Sequence, residues 1–330
     1  MRRTRALVAA ASAAALLTLA GCSSDAETES EATETASDDA AFPAVVETTF
    51  GEVTVEEEPE RVVALGWGDA ETALALGVQP VGATDWLGFG GDGVGPWADG
   101  MYDESPELID ALQPSYEAIA ALEPDLILDV RGSGEQERYD RLSSIAPTIG
   151  VPEGGENYLT TSDDQMTMIA TALGMTEKGD ELLAEVDTAF TDAAEAHPDW
   201  AGQTVTAATR TGDGWGAYVE SEARTQFLLN LGFEQNPEID ALTEADSNFF
   251  VSISEEQLDL IDADLVVAFP IGVETADITD DSQWQALPAV ADGRSLVIDG
   301  DLSNAYSLGT TMATLYAIDQ MVPLIEDTLG

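Results

Sequence analysis

The sequence predicts an α/β fold of two lobes, each a mostly parallel sheet flanked by helices, bridged by a single long α-helix. Three observations carry the prediction. Short apolar runs alternate with short helices along most of the chain, the pattern of parallel strands buried on both faces. A helix-to-strand unit recurs at a constant offset of 139 residues: "PSYEAIAALEPDLIL" from Pro114 and "SEEQLDLIDADLVV" from Ser254, with Ser115 matching Ser254, Glu117 matching Glu256 and Leu126 matching Leu265. Between the copies, Leu182, Leu183, Val186, Phe190, Ala193 and Ala194 recur at helical spacing from Thr176 to His197. About 22 residues rising about 1.5 Å each give a helix of roughly 33 Å, long enough to cross from one lobe to the other.

The chain opens on Arg2, Arg3 and Arg5, followed by an apolar stretch from Ala6 to Ala20 that is too short and too rich in alanine for a membrane span. It ends in "LTLAGC", which resembles a bacterial lipobox; the resemblance implies that residues 1–21 are a lipoprotein signal peptide and that Cys22 is lipidated and becomes the new N-terminus. Cys22 is the only cysteine, which excludes a disulfide framework. Residues 22–41 hold many acids and no large apolar side chain, so they read as a flexible, lipid-anchored tether. The expected location is the extracytoplasmic face of a bacterial cell membrane.

Residues 42–160 make the first lobe. "TTFGEVTVEEEPERVVAL" gives a short strand pair and then a buried strand ending at Gly66-Trp67-Gly68. "AETALALGV" is a short helix, and "PVGATDW", "LILDV" and "TIGVP" are further strands. Residues 161–199 are helical and include the interlobe helix, with Pro198 just past its end as a stop signal. Residues 200–330 restart the scheme: "QTVTAATR" is a strand, "ARTQFLLNLGF" a helix, "DLVVAFP" and "SLVIDG" strands, and "TMATLYAIDQMVPLI" a closing helix. At the two repeated units, Ser115 and Ser254 cap their helices, "SEEQ" forms a capping box, and Glu117 and Glu256 fall in first turns where the helix dipole favours a negative charge.

The net charge is −53, from 64 acidic and 11 basic residues. Only Lys178 and seven arginines lie beyond the signal peptide, which argues against nucleic-acid binding, since phosphate contacts need clustered basic residues. So acidic a surface serves solubility, as in salt or at high external pH. In such a chain the position of each arginine is informative.

Taken together, "PERVVALGWGDAETALALGVQPVGATD", "EAIAALEPDLIL", "RLSSIAPTI" and "WQALPAVADGRSLVID" resemble the successive blocks of the iron-siderophore and cobalamin substrate-binding proteins of bacterial ABC importers, with "FGEVTVEEEPERVV" as the lead-in of the siderophore branch. The resemblance covers nearly everything from residue 42 to the end. It implies a ligand cleft between the lobes, and a monomer that hands a ferric siderophore to an ABC permease driven by its ATPase. It also implies that Glu117 and Glu256, one per lobe, meet arginines of the permease.

Ligands of open α/β sheets sit beyond the carboxyl ends of the strands. That rule selects Trp67, Trp86 and Arg131 in the first lobe, and Arg210, Trp215, Tyr218, Phe269 and Tyr306 in the second. Aromatic walls with a few guanidinium donors suit a large, oxygen-rich chelate. The glycine-rich "GFGGDGVGPWADG" lacks the Lys-Ser/Thr of a phosphate loop and reads as a mobile rim carrying Phe89 and Trp97. Trp200 and Trp284 are expected to pack, and Arg138, Arg141 and Arg224, on helices, to make surface ion pairs.

The single histidine, His197, closes the long helix, where a cation is favourable. Without a second histidine or a free thiol, no zinc-type site can be built, so iron should arrive already chelated. No Ser-His-Asp set or G-x-S-x-G elbow is present, and no enzymatic activity is expected. Cobalamin or haem is the alternative ligand, and a non-transport adhesion or sensor lipoprotein is the alternative from a different class.

Overall fold

The computed structural model describes residues 41–243 and 249–330. Cys22, the signal peptide and nearly all of the tether lie outside them. Strands β1 (Ala44–Thr48) and β2 (Gly51–Val55) pair antiparallel and close over one side of the first lobe. The lobe's sheet is built from β3 (Val62–Ala64), β4 (Gly82–Thr84), β5 (Glu107–Ile109), β6 (Leu126–Leu128) and β7 (Thr148–Ile149). They are all parallel, in the order β5-β4-β3-β6-β7. Helices α1 (Asp69–Leu76), α2 (Tyr116–Ala121) and α3 (Gln136–Ser143) connect these strands. β3 and β6 have no exposed residue because alternate side chains enter different cores. Val62, Ala64, Leu126 and Leu128 join one; Val63 and Ile127 join the other.

Helices α4 (Ser162–Ala172) and α5 (Thr176–Ala196) follow. Leu182 and Leu183 of α5 pack against the first lobe's core, and Val186, Ala189, Phe190 and Ala193 against the second's, so one helix spans both. His197 sits at its C-cap and stacks on Trp200 at 4.0 Å. Trp200 and Trp284 are both buried in cores.

The second lobe runs through β8 (Thr204–Thr211), β9 (Gly214–Tyr218), α6 (Ala223–Asn230), β10 (Glu234–Gln235), α7 (Pro237–Leu242), β11 (Phe250–Ile253), β12 (Leu265–Ile271), α8 (Ala276–Thr279), α9 (Pro288–Ala291), β13 (Ser295–Val297), α10 (Gly300–Leu308) and α11 (Thr311–Leu329). The order β11-β9-β8-β12-β13, with β10 also on β8, is more mixed than expected. β12 pairs parallel with β8 and β13, but β8 and β9 form an antiparallel hairpin and β11 pairs antiparallel with β9. The hairpin lies in "TRTGDGWGAY", where glycines interrupt the apolar run that would have marked a strand.

The repeated units are not identical in the fold. Ser115 caps α2, its Oγ accepting from the N–H of Ala118 at 3.3 Å. The segment after Ser254, Glu255–Ile261, is a 3-10 helix without a side-chain cap, and the Ser254 hydroxyl donates to Gln257 Oε1 at 3.0 Å. The capping box expected at "SEEQ" does not form, because the tighter turn presents different backbone donors.

Candidate functional site

In the first lobe's sheet, the chain leaves β3 towards β4 on one side, while β6 continues to β7 on the other. The strand order therefore reverses between β3 and β6, where an open α/β sheet forms its crevice. Trp67 follows β3 and Arg131 follows β6, so the crevice is walled by residues from the two adjacent strand ends.

Asp69, the first residue of α1, holds these two loops together. Its carboxylate accepts from the N–H of Gly66 at 3.0 Å, of Val130 at 2.8 Å and of Arg131 at 3.4 Å, and from Gln165 Nε2 at 2.6 Å. The same Gln165 amide donates to the carbonyl of Trp67 at 2.9 Å, and the Trp67 N–H donates to the carbonyl of Arg131 at 3.0 Å. Gly66 is required here: a Cβ would lie 2.3 Å from Asp69 Oδ2 and 2.7 Å from the Arg131 nitrogen. Complete burial, with a further push from Asp129, raises the Asp69 pKa to about 6 against the pull of its hydrogen bonds. Asp129 is paired in turn with Arg138, at 2.8 Å to Nε and 2.7 Å to Nη2. Arg138 is thus a buried structural partner rather than a surface ion pair, whereas Arg141 pairs with Glu137 on the surface as expected.

Three rings form a stack on this frame. Trp67 lies 4.0 Å from Trp86 at 2° and 4.0 Å from Tyr158 at 14°. The indole N–H groups of Trp67 and Trp86 are buried without a partner among the described residues. Tyr158 was not foreseen. It follows Asn157 in a loop where both residues have positive φ, 60° and 65°, and their N–H groups donate to the carbonyls of Ser133 and Gly132 at 2.9 and 3.0 Å. Two successive non-glycine residues in this region carry local strain that the loop contacts hold in place.

The glycine-rich segment is tied in at Trp97. The indole N–H donates to Glu71 Oε2 at 2.8 Å, and its ring lies against Phe89 and against Tyr316 on α11. Glu71, buried on α1, also accepts from the N–H of Gly95 at 3.1 Å and the hydroxyl of Thr310 at 2.8 Å; its burial pushes its pKa up. The glycine-rich strap is thus anchored at Trp97, which together with Leu87 packs on the second lobe's core.

On the facing lobe, Phe269 ends the buried part of β12, with Tyr218 stacked on it at 5.8 Å and Tyr306 edge-on at 5.9 Å. Arg224 in the first turn of α6 lies under these rings, 4.7 Å from the Tyr218 centroid and 5.7 Å from that of Phe269. Its Nη1 pairs with Glu222 at 2.5 Å, its Nε donates to Ser307 Oγ at 3.3 Å, and its carbonyl accepts from the Tyr306 hydroxyl at 2.6 Å. The expectation of a surface ion pair for Arg224 fails, since only 7 % of the residue is exposed. Arg131 reaches across from the first lobe, its Nη1 donating to the carbonyl of Leu308 at 2.6 Å. Between the lobes is a cavity of about 210 Å³ lined by Trp86 and Leu87 on one side and by Arg224, Phe269, Ser303 and Ser307 on the other. Tyr218 and Tyr306 stand behind that wall, both nearly fully buried.

Arg210 and Trp215 are not brought to this cavity. They share the face of the sheet opposite Phe269. Trp215 is buried there, stacks on Trp284 at 5.4 Å and donates to Asp281 at 3.4 Å. Arg210 lies 5.9 Å from the Trp215 ring and donates to the carbonyl of Thr211 at 2.9 Å. Glu117 and Glu256 are exposed, one at each repeated helix start. Among the described residues no group of three His, Cys, Asp or Glu is poised to hold a metal ion, and no helix is long and apolar enough to cross a membrane.

Known proteins share this fold. The sequence model of the family described as periplasmic binding protein matches residues 62–302. The probable siderophore-binding lipoprotein YfiY of Bacillus subtilis (strain 168) is 27% identical over 259 residues, 74% of this chain and 76% of that protein. The periplasmic solute binding protein of Mycobacterium smegmatis superposes with a TM-score of 0.76 at 26% identity, covering 87% of this chain and 99% of that one. PiaA from Streptococcus pneumoniae TIGR4, solved in complex with ferrichrome, gives 0.73 at 26% identity, covering 87% and 98%. The chain belongs to the periplasmic binding protein family, and its role is to bind a substrate rather than to transform one.

Proposed function

We propose that the chain captures a ferric siderophore in the interlobe cleft and delivers it to an ABC permease, whose ATPase supplies the energy. The observation that carries the reading is the wall chemistry of the cleft. One side offers Trp86 backed by Trp67, the other offers Phe269 backed by Tyr218 and Tyr306, and the guanidinium groups of Arg131 and Arg224 converge on the last turn of α10. Rings cover the apolar body of a chelate while guanidinium N–H groups meet its outer oxygens. The likeness to a siderophore-binding lipoprotein over most of the chain supports the same ligand class.

At 210 Å³ the cavity falls below the roughly 300–1,000 Å³ usual for small-molecule sites. Admission of a chelate therefore requires the lobes to part or the Trp67–Trp86 stack to swing aside. The protein has no turnover of its own: it orients the chelate, excludes water from it and releases it at the permease. The lipid on Cys22 holds the domain near that permease on the extracytoplasmic face of the membrane, and the acidic tether sets its reach. Glu117 and Glu256 are the docking groups, since each is exposed, anionic and placed on a different lobe.

Titration of tryptophan fluorescence against a panel of ferric siderophores, cobalamin and haemin tests the reading. Saturable quenching by a ferric siderophore is expected, because the stacked indoles wall the cleft. No saturable response to any ferric siderophore would overturn it, and a saturable change in the visible spectrum of cobalamin or haemin alone would move the ligand to that class.

A further inference from the structure

We propose that Trp86 is the gate of the interlobe cleft: its indole stands in space that a chelate needs, and a chelate enters when that ring leaves the face of Trp67 while the lobes stay joined. The inference rests on the siderophore reading above and assigns the admitting movement to one side chain.

The lobes are tied at two places. Helix α5 sends side chains into both cores. At the junction of α10 and α11, three successive residues of the second lobe each bond a different element of the first. The Leu308 carbonyl accepts from Arg131 Nη1 at 2.6 Å, the Gly309 carbonyl accepts from the Ser162 hydroxyl, and the Thr310 hydroxyl donates to Glu71 Oε2 at 2.8 Å. Parting the lobes here would take partners from Arg131 and Glu71, both buried, and that is costly. Room beyond the 210 Å³ of the cavity then has to come from a side chain.

Trp86 is the side chain placed to give way. It lines the interlobe cavity beside Leu87, and it also lines a second, water-sized cavity of about 10 Å³ with Gly68, Thr84, Phe89 and Gly93, so its indole divides the two. The ring stacks on Trp67 at 4.0 Å and 2°, yet both indole N–H groups are buried without a partner among the described residues. Beyond the area it buries, a stacked pair contributes about as much as one orphaned N–H costs, and two are orphaned here. Turning Trp86 out gives its N–H a partner, from water or from an oxygen of the chelate. The strap beyond it supplies slack: Gly88 and Gly90 hold φ of 74° and 73°, with no atom within 4 Å of where a Cβ would stand. That slack is bounded, because Asp85 accepts from the N–H groups of Phe89 and Gly90 at 2.9 and 2.8 Å, and Glu71 holds Gly95 and Trp97. Trp67 stays in place, its backbone bonded to Gln165 and Arg131, and offers the chelate the face that Trp86 leaves.

The test is stopped-flow fluorescence of the full chain with three iron(III) complexes: a trihydroxamate, a citrate complex and a tricatecholate. For a gated cleft, the apparent association rate constant is the intrinsic one reduced by the fraction of molecules with the ring turned out. Trp86→Ala removes the gate and should raise that rate constant about tenfold or more, with affinity unchanged or tighter. Trp86→Leu keeps an apolar side chain in the space but abolishes the stack, and should raise it about threefold or more; it guards against a folding defect in the alanine variant. Association no faster than wild type in the folded variants would overturn the gate. So would a loss of affinity carried wholly by faster dissociation, since Trp86 would then be a fixed wall in contact with the chelate. In both of those cases wild-type binding keeps the siderophore reading. Absence of a wild-type response to all three complexes would count against both.

Discussion

The carboxylate of Asp69 accepts a hydrogen bond of 2.8 Å from the backbone N–H of Val130, and through it the loops carrying Trp67 and Arg131 are held as one body. Asp69 is fully buried and its pKa is raised to about 6. Its ordinary value is about 4, so between about pH 4 and 6 the folded form keeps a proton that the unfolded form has lost. Stability owed to Asp69 is thus complete below that window, falls as pH rises through it, and stays low above it. Asp69→Asn removes the titration. The stability difference between wild type and variant, from urea unfolding, should decline by about 1 kcal/mol between about pH 5 and pH 7. A difference independent of pH would sink this account of Asp69.

Arg138 is the counter-ion of buried Asp129. Burial disfavours its charge, but the paired carboxylate outweighs that cost and raises the Arg138 pKa. Arg138→Met strands a carboxylate in the core and should destabilise the protein by about 3–5 kcal/mol. Adding Asp129→Asn to the same chain should recover part of the loss. Unchanged melting of the single variant would contradict the buried pair.

Trp97→Phe keeps a ring against Phe89 and Tyr316 but deletes the N–H that Glu71 accepts. The loss should be about 1–3 kcal/mol by denaturant unfolding, since Glu71 stays buried with one donor fewer. A change below about 0.5 kcal/mol would show that the strap does not depend on this hydrogen bond.

Glu117→Lys and Glu256→Lys reverse exposed charges outside the cavity lining. Combined, they should abolish uptake of radio-iron delivered as the chelate, while affinity measured on the purified protein stays unchanged. Wild-type uptake by the double variant would leave Glu117 with no role beyond its place in the first turn of α2.

Legibility followed the range of the interactions. β3, β6 and β12 are apolar runs buried on both faces, and α5 has a continuous apolar stripe, so each can be read locally. β5 escaped because only Ile109 of its three residues is buried. Trp67, Trp86 and Arg131 can be singled out in the sequence because strand ends predict a crevice. Arg224 cannot, because helical spacing does not say that its first turn faces the other lobe. Tyr158 enters through a positive-φ loop with no sequence signature. Asp69, Glu71 and Asp129 were invisible among 64 acids, because only tertiary burial separates a structural carboxylate from a solvated one.

The long helix α5 contributes side chains to both hydrophobic cores. Its cooperative consequence is that neither lobe can melt without stripping apolar cover from its neighbour. A chain with two sheets should therefore unfold in a single calorimetric transition. Gly179 faces the Cβ of Ala170 on α4, where an added Cβ would come within 2.6 Å. Gly179→Leu should pry that end of the helix from the first lobe and split the transition in two; one sharp endotherm in the variant would show that the coupling runs elsewhere.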